Sequence, residues 1–105
     1  MVARSLDPAI HLQLALQTAL LENIPPNLYA VTAGLRGNDV IIVGYYSNHP
    51  TESDVEYLQV TSSELASYVP WDAIVDEYVY CIQEHKPEVL DFWGFIRAPG
   101  LGPYL

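Results

Sequence analysis

Seven consecutive uncharged residues, Val40 to Tyr46 (Val-Ile-Ile-Val-Gly-Tyr-Tyr), constrain the fold of this chain more than any other segment. Branched and aromatic side chains favour pleated backbone, and unbroken apolarity over so short a run reads as a central strand covered on at least one face. Arg36-Gly37-Asn38-Asp39 precedes it and supplies turn chemistry, because Gly and Asn accept positive φ. Upstream, Leu28 to Leu35 carries Tyr29, Val31 and Thr32 and reads as a second strand. Together these segments predict a β-hairpin.

Helical patterns flank the hairpin. Asp7 followed by Pro8 reads as an N-cap and first helical residue. Ile10, Leu12, Leu14, Leu16, Ala19, Leu20, Leu21 and Ile24 then form an apolar surface wider than one stripe, which predicts a well-buried helix ended by Pro25 and Pro26. After the loop Ser47-Asn48-His49-Pro50, Thr51 stands three residues before Asp54, close to a capping box, and Glu52 and Asp54 suit the positive end of a helix dipole. Val55 to Thr61 has β-favouring residues, but Val55, Leu58, Ser62, Leu65, Ala66 and Val69 keep helical spacing, so a helix closed by Pro70 is preferred. Ile74 to Ile82 alternates Ile74, Asp76, Tyr78, Tyr80 and Ile82 with Val75, Glu77, Val79 and Cys81, as a strand with one partly polar face. Glu84 to Asp91 reads as a charged, proline-bearing loop, and Phe92 to Arg97 as a last strand.

The expected fold class is α+β, in the order helix-strand-strand-helix-strand-strand. A mostly antiparallel four-stranded sheet would carry both helices on one face and leave the other open to solvent or a partner. Each half repeats the layout of a proline-ended helix followed by two strands. At 105 residues the chain is expected to form one domain over 1–105, with an irregular Gly/Pro-rich tail at 98–105.

Charge narrows the function. Thirteen acidic residues face four basic ones, Arg4, Arg36, Lys86 and Arg97, for a formal net charge of -9. Such a body repels phosphate backbones and anionic lipid headgroups, which argues against direct nucleic-acid or membrane binding. The same field would speed encounter with a basic protein, by roughly 10- to 1000-fold at low salt, although acidity also serves solubility alone. No signal peptide or apolar stretch long enough to span a bilayer is present, so a cytoplasmic site of action is expected.

Reactive constellations are sparse. The one cysteine, Cys81, lies in an apolar run and reads as a buried thiol. His11, His49 and His85 show no metal-ligand spacing. No nucleophile elbow or phosphate-binding glycine loop occurs. No catalytic residue, metal or cofactor is therefore assigned. An enzyme or ligand-binding domain using His49, His85 or Cys81 stays open as an alternative, as does a module that self-associates through its open sheet face or a strand edge.

Binding has the better physical case. Eight tyrosines and two tryptophans offer apolar rings with wet tips. Glu52, Asp54 and Glu56 cluster at the start of the second helix, and Trp71 and Asp72 precede the third strand. That strand adds Asp76, Glu77 and Tyr78. Acidic and aromatic side chains on one surface suit a basic, groove-bearing protein partner. For any single tyrosine, packing in the sheet is the simpler account.

The motifs themselves carry a resemblance. Pro26-Asn27-Leu28-Tyr29-Ala30-Val31, a polar turn, an aromatic strand ending Tyr45-Tyr46, and Pro50-Thr51-Glu52-Ser53-Asp54 opening a helix resemble a group of small bacterial α+β proteins. That group is similar to immunity proteins found beside contact-dependent toxins, and the resemblance runs over about residues 10 to 97. Tyr29 stands where the group usually has arginine. What the resemblance implies is an immunity protein whose partner is a cognate toxin. With the charge added, the expected toxin is basic, most simply a nuclease domain.

Overall fold

The predicted hairpin lies at the centre of the sheet. In a computed structural model of the chain, which describes residues 8–20 and 24–97, β1 (Leu28–Arg36) and β2 (Asp39–Tyr46) pair antiparallel from Arg36↔Asp39 at the turn to Leu28↔Tyr46. Gly37 takes φ 65° there, a left-handed conformation that side chains resist. The remaining elements are α1 (Pro8–Ala19), α2 (Glu52–Tyr68), β3 (Val75–Cys81) and β4 (Phe92–Ile96). The sheet order is β3-β2-β1-β4. The fold is α+β in the expected order. The Asp7 cap and the 98–105 tail fall outside the described residues.

Both helices cover one face. Leu12 and Leu16 of α1 and Leu58 and Leu65 of α2 are fully buried in a cluster with Val31, Val40, Ile42 and Tyr46 from the sheet. Burying each such leucine stabilises the fold by about 1.5–3 kcal/mol. α1 approaches β4 closely enough that a Cβ on Gly94 would sit 2.4 Å from Leu16 Cδ2. A side chain at Gly94 would therefore have to displace Leu16 from the core.

α2 forms because Thr51 and Asp54 complete a reciprocal capping box. Asp54 N–H donates to Thr51 Oγ1 (3.1 Å), and Thr51 N–H donates to Asp54 Oδ2 (2.9 Å). The helix runs back along the sheet, so β3 enters parallel to β2. This is the one parallel pairing among three.

The similar layout of the two halves does not become a similar arrangement. β1 and β2 form a hairpin, whereas β3 and β4 occupy opposite edges of the sheet. Both run parallel to β2, because β4 pairs antiparallel with β1. The chain between them must therefore return along the length of the sheet and cross two strands. With helices on one face, it takes the other.

Candidate partner-binding surface

That crossing segment, residues 83–91, makes a strap over part of the face expected to be open. Thr32 Oγ1, fully buried, donates to Phe92 O (2.7 Å) and accepts from Leu90 N–H (2.8 Å). Tyr45 OH accepts from Glu88 N–H (3.1 Å). Leu35 N–H donates to Asp91 Oδ2 (2.9 Å), and the His85 ring lies 4.3 Å from that of Tyr80. At Gly34 an added Cβ would meet Leu90 Cβ at 3.0 Å, so the strap passes close to the strand backbone.

Ala30, Val43 and Tyr45 on this face are buried, and its β3 side stays accessible. Between the strap and β3 lies a groove of about 290 Å³, with Ile41 and Val43 contributed by β2, Tyr78 and Tyr80 by β3, and Val89 and Leu90 by the strap. Arg36 and Glu88 add its charges. Tyr78 is 46% and Val89 47% exposed, and Ile74, at the entrance to β3, is 65% exposed. Tyr45 packs against Tyr80 and Trp93, with ring centroids 5.9 and 6.3 Å away. Apolar surface left in water beside acids is what a protein-binding site presents.

The acidic and aromatic residues singled out from the sequence are distributed over three places. Glu52 and Glu56 are exposed at the start of α2. Asp54, between them, is buried: it caps the helix and accepts from Asn27 Nδ2 at 2.9 Å. Trp71 and Asp72 sit at the opposite end of α2, where Trp71 is half-buried and its Nε1–H donates to Asn38 O (2.8 Å). On β3, Asp76 and Tyr78 are exposed on the strap side, while Glu77 projects half-buried to the helix side. Thus Asp76 and Tyr78 come together with the groove, and the α2 cluster flanks the other face. Val89 and Leu90, which line the groove, were not singled out from the sequence. The adjacent pair Val89-Leu90 within a charged loop was the available signal, since a solvated loop has no need of it.

Other reactive side chains are engaged locally. Cys81 is a buried free thiol. His49 Nε2 lies 3.6 Å from Glu84 Oε2, both exposed. Among the described residues, no group of three or more His, Cys, Asp or Glu side chains is placed to hold a metal ion. Burial raises the Tyr46 phenol above its ordinary range, with the Asp54 carboxylate adding to the shift. Tyr46 OH donates to Asp54 O (3.1 Å), a packing role. No described helix is long and apolar enough to cross a membrane.

The motifs that carried the sequence resemblance meet in space. Asn27 of Pro26-Asn27-Leu28 donates to Asp54 Oδ2 (2.9 Å) and Asn48 O (3.3 Å), and accepts from Asn48 N–H (2.9 Å). Tyr46, ending the aromatic strand, reaches the same helix start. The shared residues thus build one structural node that joins β1, β2 and α2.

These elements define a small α+β domain with acidic and aromatic side chains on its exterior. The chain belongs to the MafI2 immunity protein family, whose model matches residues 9–98. Membership makes a toxin its cognate partner. A search of curated proteins finds no match.

Proposed function

We propose that this immunity protein neutralises a basic toxin, a nuclease domain, by covering the groove in which the nucleic-acid phosphates would lie. The observation that carries the reading is an acidic exterior with few cations to balance it. Glu52, Glu56, Glu64, Asp72, Asp76, Glu84 and Glu88 are all exposed, and among the described residues the one carboxylate within 4 Å of a Lys, Arg or His nitrogen is Glu84, beside His49. A nuclease groove must be basic to hold phosphates, so the same field that repels nucleic acid attracts the enzyme that binds it. Asp72, Asp76 and Tyr78 then supply charges and an aromatic anchor, Glu52 and Glu56 extend the field, and Asp54 and Trp71 hold the elements that present them. Inhibition is by occlusion and needs no chemistry from the protein. Its expected place of action is the cytoplasm.

Isothermal titration against the cognate toxin domain tests the reading across a salt series. Long-range attraction between unpaired surface charges is screened with a Debye length of about 10 Å at 0.1 M salt. Association is therefore expected to slow and affinity to fall as ionic strength rises. Nanomolar affinity that does not change from low to high salt would count against the acidic mechanism, and a toxin domain lacking nuclease activity against its substrate.

A further inference from the structure

We infer that the outer edge of β3 is where the partner docks: an extended segment of the toxin adds to the sheet there as a fifth strand. This rests on the immunity reading and goes beyond it by naming the recognition mode. The ladder shows which groups are free. Val40 N–H donates to Ile74 O and Ile82 N–H to Tyr46 O, which sets the phase of the parallel β2–β3 pairing. In that phase the backbone N–H and C=O of Asp76, Tyr78 and Tyr80 engage β2, and those of Val75, Glu77 and Val79 point outward. No described strand pairs with them. Unpaired outward donors and acceptors on a seven-residue strand form a template for another chain.

Sheet edges are ordinarily blunted by charged side chains, lysine above all, by proline or by a bulge. β3 has no lysine, proline or bulge, its register with β2 is unbroken, and its two charges, Asp76 and Glu77, are both acidic, so they repel another acidic edge and admit a basic one. The β4 edge, by contrast, is five residues long and its pairing with β1 shifts register. Asp76 and Glu77 are neighbours in sequence, so they lie on opposite faces. An added strand would meet a carboxylate on each face, which selects adjacent Lys or Arg residues in the incoming segment. On the strap side Tyr78, 46% exposed on β3 itself, would pack against an apolar side chain from the same segment. A second copy of this chain is a poor occupant, because two β3 edges would bring four carboxylates together on bodies of net charge -9 each.

Hydrogen exchange read by NMR, with and without the cognate toxin domain, tests the inference. The Glu77 and Val79 amides should exchange quickly in the free protein and slow in the complex, while Tyr78 and Tyr80 are slow in both. Val79→Pro removes an outward donor and spares the β2 ladder, and should weaken binding by about 10- to 100-fold. D76K/E77K, which keeps every backbone group, should weaken it comparably and covers the case in which Val79→Pro fails to fold. Toxin bound at full affinity by D76K/E77K, with the Glu77 and Val79 amides still exchanging quickly in the wild-type complex, would overturn the edge assignment and leave the immunity reading standing. A wild-type protein that fails to bind the toxin at all would remove both. Amides that slow with protein concentration alone would assign the edge to self-association and refute the inference.

Discussion

Replacing Thr32 by valine should release the strap while changing almost nothing else. Valine keeps the branched shape and the strand preference, so the effect comes from the hydroxyl. That hydroxyl is fully buried and makes two bonds, to Phe92 O at 2.7 Å and from Leu90 N–H at 2.8 Å. Each bond contributes about 0.5–1.5 kcal/mol net, and a buried group left without a partner costs about 1–3 kcal/mol. Leu90 is 37% exposed, so its N–H can find water after a small movement, whereas Phe92 O is half-buried. The sum is a loss of about 2–3 kcal/mol, or a fall in Tm of roughly 10–20 °C. Urea denaturation measures it, and exchange at the Leu90 amide should accelerate. Thr32→Ser is the control, since it keeps both bonds and loses only a methyl, at about 1 kcal/mol. A valine variant within about 0.5 kcal/mol of wild type, or a serine variant less stable than the valine one, would refute the clip.

Three further outcomes are expected. Asp54→Ala removes the acceptor for both Thr51 N–H and Asn27 Nδ2 and should lower stability by about 1–3 kcal/mol in a thermal melt, although the residue lies in an acidic segment. Gly37→Ala should lose about 1 kcal/mol because φ is 65° there, and Gly37→Asn appreciably less, by the same melt. Tyr46 and Tyr57 both have phenols raised above 10.0 by burial, so unfolding releases protons at alkaline pH. Their contribution is fully present below pH 10 and is lost as pH rises above it. A denaturation series should show this decline, and Tyr46→Phe should make it shallower.

Strand addition and charge would serve different parts of inhibition. Surface carboxylates act over a distance and govern how quickly the partners meet. Backbone pairing acts only on contact and would govern how long they stay together. Asp76 and Glu77 would take part in both, because they border the free edge and add to the acidic field.

What the sequence determined by itself was local. The hairpin followed from an apolar run, a Gly-Asn turn and a second β-rich segment, all within one stretch of chain. α2 followed from helical spacing and a capping box that closes over three residues. The alternation on β3 was legible too, since a strand turns successive side chains to opposite faces whatever it pairs with. Tertiary structure alone decided that β3 and β4 lie at opposite edges, because strand order depends on contacts between distant segments that no local pattern encodes. From that order come the strap, the groove beside it and the free edge. It also decided that Asp54, an acid like its neighbours Glu52 and Glu56 in sequence, is a buried cap while they face solvent: Asn27, twenty-seven residues away, completes its hydrogen bonding.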